Sequence, residues 1–535
     1  MKKRKIILII SAVVVVALLF YITDMMRNWN ELSEKEETAA EEKMVTLDWY
    51  INFSWFATEW GESLVSQEIT KKTGVDINFV VPKGNESEKI RSMIESDTLP
   101  DMITVGWWGP EGQEMISKGQ VYALNILAEK YDSAFFSEAN EDTVEWYTRK
   151  DGNIYGYPNY SYTYQDYTEN SEVPSNQNFL VRKDIYEAIG SPDMTTPEGF
   201  EEAVKKAAEM FPVVDGKSLI PVGADEFTDR GNNSFDVYLQ NFLAVPYEKD
   251  GKYYDRNTDP EYIRWLKVFR KLGEEGYLKN DIFVDKRSQL EEKIRDGRYF
   301  CLLYQSTDIE DQEKVIFKED PERIYIAVDG PKNSRGDDPV LPVRGINGWT
   351  VTYISKNCEH PEKALEMMTY MLSEEGQKTL YYGVEGAMYQ VRDGEIITKP
   401  EILELLNTDR KKYDELYGAA DAYWMLKDSV AEIQWRGNEF SCVNDMKKWT
   451  YPYTAYTGQY DMNFGEDSRS LAIYNQLLQL WSKYLPKLLL AKSEEEFDII
   501  LEKYCAEREN KGYEEFCRSA ERVFQSNKER LGIEE

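Results

Sequence analysis

Between residues 45 and 105 two apolar rhythms alternate, and no other feature limits the fold of this chain so sharply. Val45–Ile51 is a short apolar run of strand character, and 75–81 alternates apolar and polar side chains, the period of a strand. Between them Trp60, Leu64, Val65 and Ile69 recur near every 3.6 residues, which predicts a helix over 58–73 that Gly74 stops. Asn85 with Glu88 three positions on reads as a capping box, and Ile90, Met93 and Ile94 give the next helix one apolar face. After Leu99, Pro100 and Asp101 comes a third strand at 102–105. This β-α-β-α-β order predicts a parallel sheet with right-handed crossovers. Ligands of such sheets sit at the carboxyl ends of the strands, here 52–56 and 106–109.

Composition removes several functions. The chain has 535 residues, enough for more than one ordinary domain. Its formal charge is −33, so phosphate backbones are repelled and nucleic acid is excluded as a partner. The one histidine, His360, rules out multi-histidine zinc centres, and it reads as an exposed residue at a helix start. Five cysteines without CxxC spacing imply no disulfide framework and read as buried free thiols, although a Cys505–Cys517 pair stays open. Asp255 to Asp259 mimics the start of a calcium loop, but Pro260 stands where glycine is needed, and a turn before a helix is the simpler reading. No metal and no cofactor is implied.

The amino end carries its own signal. Lys2, Lys3, Arg4 and Lys5 precede an apolar run over 6–22, the layout of a secretory signal or anchor. At about 1.5 Å per residue the run spans roughly 26 Å, near the lower limit for a membrane helix. No clear cleavage site follows, so residues 1–24 read as an uncleaved anchor with the positive end inside. The expected location is the cell membrane, single-pass, with the body outside; cleavage instead gives a secreted protein. Residues 25–43, with six glutamates and two lysines from 30 to 43, read as an acidic linker.

Several segments in order then carry a resemblance. They include KKTGV at 71–75, SDTLPDMI at 96–103, DGNIYGYP at 151–158, LVRKDIYEAIG at 180–190 with TTPEGF at 195–200, HPEKAL at 360–365, LSEEG at 372–376, YGVEG at 382–386 and SEEEFD at 493–498. Together they resemble the family 1 extracellular solute-binding proteins of ABC transporters, in the lipoprotein-like, oligosaccharide-associated branch of Gram-positive bacteria. One departure is the missing lipobox cysteine, since the first cysteine is Cys301.

The resemblance implies an α/β, two-lobe periplasmic-binding-protein-like (type II) fold with a hinge and an interlobe cleft, preceded by the N-terminal membrane helix. It places lobe 1 at 44–158 plus 330–376 and lobe 2 at 159–329 plus 377–535. Crossings fall near 155–158 and 327–331, with a returning strand at 345–351. The implied function is capture of a carbohydrate, an oligosaccharide, by hinge closure, and delivery to permease subunits served by a cytoplasmic ATPase. The protein is expected to be a monomer and not an enzyme. A carbohydrate-active enzyme with a carboxylate pair, and a sensing subunit of a membrane signalling system, remain as alternatives.

Rings and polar groups near the expected strand ends are the ligand candidates, because stacking planes and hydrogen bonds hold a polyol with apolar faces. They are Trp55, Phe56, Trp107, Trp108, Tyr160, Tyr162, Arg182, Tyr304, Gln305, Trp349, Glu385 and Tyr389. Each ring has core packing as its plain alternative. Arg182 has a salt bridge to Asp184 as its alternative.

Overall fold

The computed structural model describes residues 44–170, 172–435, 440–465 and 467–533. The expected helix at 6–22 and the linker at 25–43 lie outside the described residues. Among the described residues no helix is long and apolar enough to cross a membrane.

The alternating opening folds as a parallel unit. β1 (Val45–Ile51) runs parallel to β2 (Val75–Val80) and to β3 (Met102–Gly106), with Val45 opposite Val75 and Trp49 opposite Met102. The first helix is shorter than expected, Leu64–Thr73, because the Ser63 side chain accepts the Ser66 N–H and starts it there. Gly74 ends it at φ 71°, in the left-handed region. The expected capping box at Asn85 does not form. Asn85 sits at φ 57° and makes no side-chain cap; its backbone oxygen accepts from Glu88 and Lys89 instead.

β4 (Gly156–Pro158) ends the first passage through lobe 1. The chain then builds a second sheet from β5 (Gln177–Arg182), β6 (Ile220–Gly223), β7 (Tyr299–Gln305) and β8 (Tyr325–Ala327), in the order β8-β5-β7-β6. β5 runs antiparallel to both β7 and β8, and β6 parallel to β7. β9 (Thr350–Ile354) returns to the first sheet antiparallel to β3 and β4, giving the order β2-β1-β3-β9-β4. The return strand therefore starts later than the expected 345–351. Gly345 and Gly348 hold a turn there. Gly348 has φ 67°, and a Cβ on it would lie 2.0 Å from the Asn159 carbonyl oxygen.

Each sheet has its own core. Trp49, Ile51, Val65 and Leu365 pack in the first, and Phe200, Trp265, Phe300 and Trp481 in the second. The methionines of the helix Pro361–Leu372 are core, as expected. The division of the chain differs from the expected one at two places. Residues 330–343 stay with lobe 2, where Asn333 donates to the Leu243 carbonyl and Leu341 joins the core. Leu380, Met388, Ile402, Tyr413 and Trp424 join the lobe 1 core, so the chain stays there well beyond 376. The crossings thus lie after β4, near 343–349, and after Leu426.

Asn159 ties these crossings together. It is fully buried; its Oδ1 accepts from Thr350 N at 2.7 Å and its Nδ2 donates to the Trp424 carbonyl at 2.9 Å. Asn347 makes a second tie. It accepts from Trp146 Nε1 at 2.8 Å and donates to Asp461 Oδ2 at 2.8 Å. The 255–259 segment is a turn, Arg256–Thr258, with Asp259 capping the helix Pro260–Glu274. Asp255 accepts from Asn257 and Thr258 and pairs with Arg508. His360 stands at a helix start, half exposed, and all five cysteines are unpaired.

Candidate functional site

A cavity of about 1820 Å³ lies between the lobes. Its lobe 1 wall begins where β1 ends. Asn52 N donates to the Thr104 carbonyl and Phe56 N to that of Phe53, so 52–56 turns and presents Phe53, Trp55 and Phe56 to the cavity. Trp349 enters from the turn before β9. Its ring stacks on Trp55 at 6.0 Å and 11°, and lies 5.3 Å from Phe53 and 4.6 Å from Trp424. These four rings form one apolar platform. Trp55 remains 41% exposed.

The adjacent tryptophans separate. Trp108 lines the cavity, while Trp107 packs in the small cluster with Tyr50, Val105 and Met115 behind the sheet. Gly106 permits this, because a Cβ there would lie 2.5 Å from the Trp108 ring.

Lobe 2 faces the platform with polar groups. Arg287, on the helix Arg287–Arg295, sits 5.3 Å over the Trp55 ring, a contact from lobe to lobe. It also pairs with Glu291 at 2.9 Å and Asp308 at 3.5 Å. Burial pushes the Asp225 and Asp308 carboxyls upward, and Arg287 opposes this. Gln305 lines the same cavity and donates to the Tyr238 hydroxyl at 2.5 Å.

Near the crossings, Tyr160 lies 4.0 Å under the Arg344 guanidinium, and Arg344 pairs with Glu432. Lys427 holds Asp421 well below the usual carboxylate range, through a 2.9 Å contact. Burial pushes Glu432 up, but Arg344, Lys447 and Lys427 outweigh it, and the carboxyl is lowered overall. A side chamber of about 240 Å³ adjoins here, lined by Tyr162, Tyr238 and Val343 among others.

The structure thus brings Trp55, Phe56, Trp108, Tyr160, Gln305 and Trp349 to one cavity. Tyr162 lines the side chamber instead. Trp107, Arg182, Tyr304, Glu385 and Tyr389 do not line either space. Arg182 is buried, bonded to Asp184 at 2.9 Å and to the Gly297 carbonyl at 2.5 Å. Tyr304 is inside β7, not beyond it, and its ring joins Leu180 and Ile309 on the other face of the sheet. Tyr389 is in a hairpin against Tyr382, next to Glu385. Sequence reasoning missed Phe53, Trp424, Arg287 and Arg344. Phe53 shares the strand-end segment with Trp55 and was open to the same rule. The others reach the cavity only through tertiary folding.

The fold thus has two lobes on separate sheets, three crossings and a ring-lined cavity between them. A profile of the bacterial extracellular solute-binding protein family matches residues 65–401, and the chain belongs to that family. Lipoprotein LipO of Bacillus subtilis (strain 168) is 22% identical over 340 residues, covering 61% of this chain and 64% of its own. Polygalacturonan/rhamnogalacturonan-binding protein YtcQ of the same strain is 21% identical over 350 residues, covering 63% and 65%. The chain therefore spans slightly less than two thirds of the curated relatives it matches. Among solved structures, alginate-binding protein AlgQ2 has a TM-score of 0.69 at 17% identity, covering 91% of this chain and 99% of that one. FusA of S. pneumoniae, in complex with kestose, has a TM-score of 0.69 at 16% identity, covering 90% and 99%. At these identities the structures show a shared fold.

Proposed function

We propose that this chain is the extracellular substrate-binding component of an ABC transporter, and that it captures an oligosaccharide between its lobes. The observation that carries the reading is the platform of Phe53, Trp55, Trp349 and Trp424 facing Arg287, Asp308 and Gln305 across the cavity. Indole faces pack on the C–H faces of sugar rings, and carboxylates, amides and guanidinium groups take the hydroxyls. The volume exceeds the roughly 300–1,000 Å³ of a site for one small molecule, which favours several linked rings over a monosaccharide. The sugars named for YtcQ, FusA and AlgQ2 support the same ligand class. Ligand that touches both lobes favours the closed form, and the closed form is what permease subunits, served by a cytoplasmic ATPase, would recognise. The 6–22 segment would tether the body outside the membrane.

Calorimetry of the purified full chain against an oligosaccharide panel, with chromatography of the sugars afterwards, tests this. Heat of binding with sugars recovered intact is expected. Turnover of sugar, or a response confined to peptides, overturns it.

A further inference from the structure

The charge on the cavity wall says which oligosaccharides fit. Twelve of the lining side chains are carboxylic and seven cationic, so the wall carries an excess of acid. The cations are also largely engaged. Arg287 faces Glu291 and Asp308, Lys314 faces Glu310 at 2.7 Å, Arg344 faces Glu432, and Arg410 faces Asp414 at 2.8 Å. All of these carboxylates line the same cavity. A ligand bearing a carboxylate on each ring would have to break such pairs or lie against acids. A ligand of hydroxyls meets no such cost. It can accept from the cations and donate to the carboxylates without separating them, because a carboxylate has about four acceptor sites.

Building on the reading of the cavity as an oligosaccharide site, we infer that this cleft selects uncharged oligosaccharides and discriminates against polyuronates. The acidic lining then acts as a specificity filter: it supplies acceptors for hydroxyl hydrogens and repels chains with repeating negative charge. The exposed part of Trp55 gives the uncharged ligand an apolar surface beside Arg287, which is already bound to two carboxylates.

Calorimetry on the full chain tests this with four probes of matched length: neutral gluco- and fructo-oligosaccharides, oligogalacturonates, and chitosan oligomers. Each is measured at about 20 and about 300 mM salt. At least one neutral probe is expected to bind at least tenfold more tightly than oligogalacturonate, with an affinity nearly independent of salt. Oligogalacturonate binding, where detectable, is expected to strengthen as salt rises, since screening weakens repulsion. The double variant Glu310→Gln with Asp311→Asn is expected to narrow the gap, which a merely structural role for these residues would not do. Oligogalacturonate binding that is tighter than every neutral probe and weakens with salt overturns the inference while leaving the carbohydrate reading intact. Preference for chitosan oligomers does the same. Silence toward all four probes overturns the carbohydrate reading, and the inference falls with it.

Discussion

At the residue scale, the platform rings and the rings behind the sheet differ in what they lose on truncation. Trp55→Ala and Trp349→Ala remove stacking surface from the cavity, and each is expected to weaken oligosaccharide binding by about 2 kcal/mol, more than tenfold, with little change in Tm. Trp107→Ala removes a ring from the small cluster with Tyr50 and Met115, so it is expected to lower Tm and leave the Kd within about twofold. Parallel calorimetry and thermal unfolding separate the two cases. Equal losses of binding for Trp55 and Trp107 would show that the wrong rings were chosen. Glu313 gives a pH test that binding does not touch. Its side chain is fully buried on the helix Ser306–Glu319, and one oxygen has no partner. Burial pushes its carboxyl up to about 8, while the other oxygen accepts from Tyr325 N at 2.9 Å. Between about pH 4.5 and 8 the folded chain holds a proton that the unfolded chain releases, so stability falls as pH rises through that window. Glu313→Gln keeps the acceptor for Tyr325 and removes the titration. The variant is expected to match the parent near pH 4 and to exceed it by on the order of 5 kcal/mol near pH 9, read by denaturant unfolding at both values. A constant offset across pH would disprove the assignment.

Elements show how far the linear pattern reaches. The Ser63 cap went unread, and the helix starts later than 58 for that reason. The rest of the β-α-β-α-β opening was legible because its signals are local, the apolar period and the glycine that stops the helix. Trp55, Phe56 and Trp108 were legible for the same reason, since strand ends are marked in the chain and the rule for α/β sheets points there. The capping box failed because a motif gives residue types but not φ, and Asn85 tolerates the left-handed region. After Leu372 the chain offers amphipathic helices that fit either core equally well. Nothing between 377 and 426 marks the lobe, and only packing of Leu380, Met388 and Ile402 assigns these residues to the first. Trp424 reached the platform unseen for that reason. The crossings themselves make a prediction at this scale. Asn159→Ala would leave the Thr350 N–H and the Trp424 carbonyl buried without side-chain partners. A loss of roughly 1–3 kcal/mol is expected, from the orphaned Thr350 N–H, because the Trp424 carbonyl still accepts from Lys427 N. Asn159→Asp keeps the acceptor for Thr350 N but sets a buried carboxylate against the Trp424 carbonyl, so it is expected to lose more at neutral pH. Urea unfolding of both variants checks the order.

For the whole molecule, the question is what holds the two lobes across a cavity this wide. In a two-lobe protein that closes by a hinge, crossings of this kind set the pivot and contacts at the far side bias the angle. Arg287 over Trp55 is such a contact, and the helices Ser306–Glu319 and Pro400–Thr408 approach each other from opposite lobes at another point of the mouth. A cation over an indole at a part-exposed site contributes about 1 kcal/mol, enough to shift an open–closed ratio roughly fivefold but not enough to lock it. Arg287 also offsets the buried Asp308 carboxyl within lobe 2, so its loss should be felt in the interlobe equilibrium and, more weakly, in the stability of lobe 2. Arg287→Ala is expected to enlarge the ligand-free radius of gyration in X-ray scattering, to weaken oligosaccharide binding about fivefold, to leave lobe 1 unfolding unchanged, and to lower lobe 2 stability at neutral pH, where Asp308 loses its partner. Saturating ligand should return the variant to the parent's closed dimensions, because contacts to both lobes replace the missing one. Arg287→Lys keeps the charge but loses the planar face and the paired donors to Glu291 and Asp308, so its effect should fall between the two. If Arg287→Ala and the parent scatter identically without ligand, the Trp55 contact does not set the angle, and the crossings alone control closure.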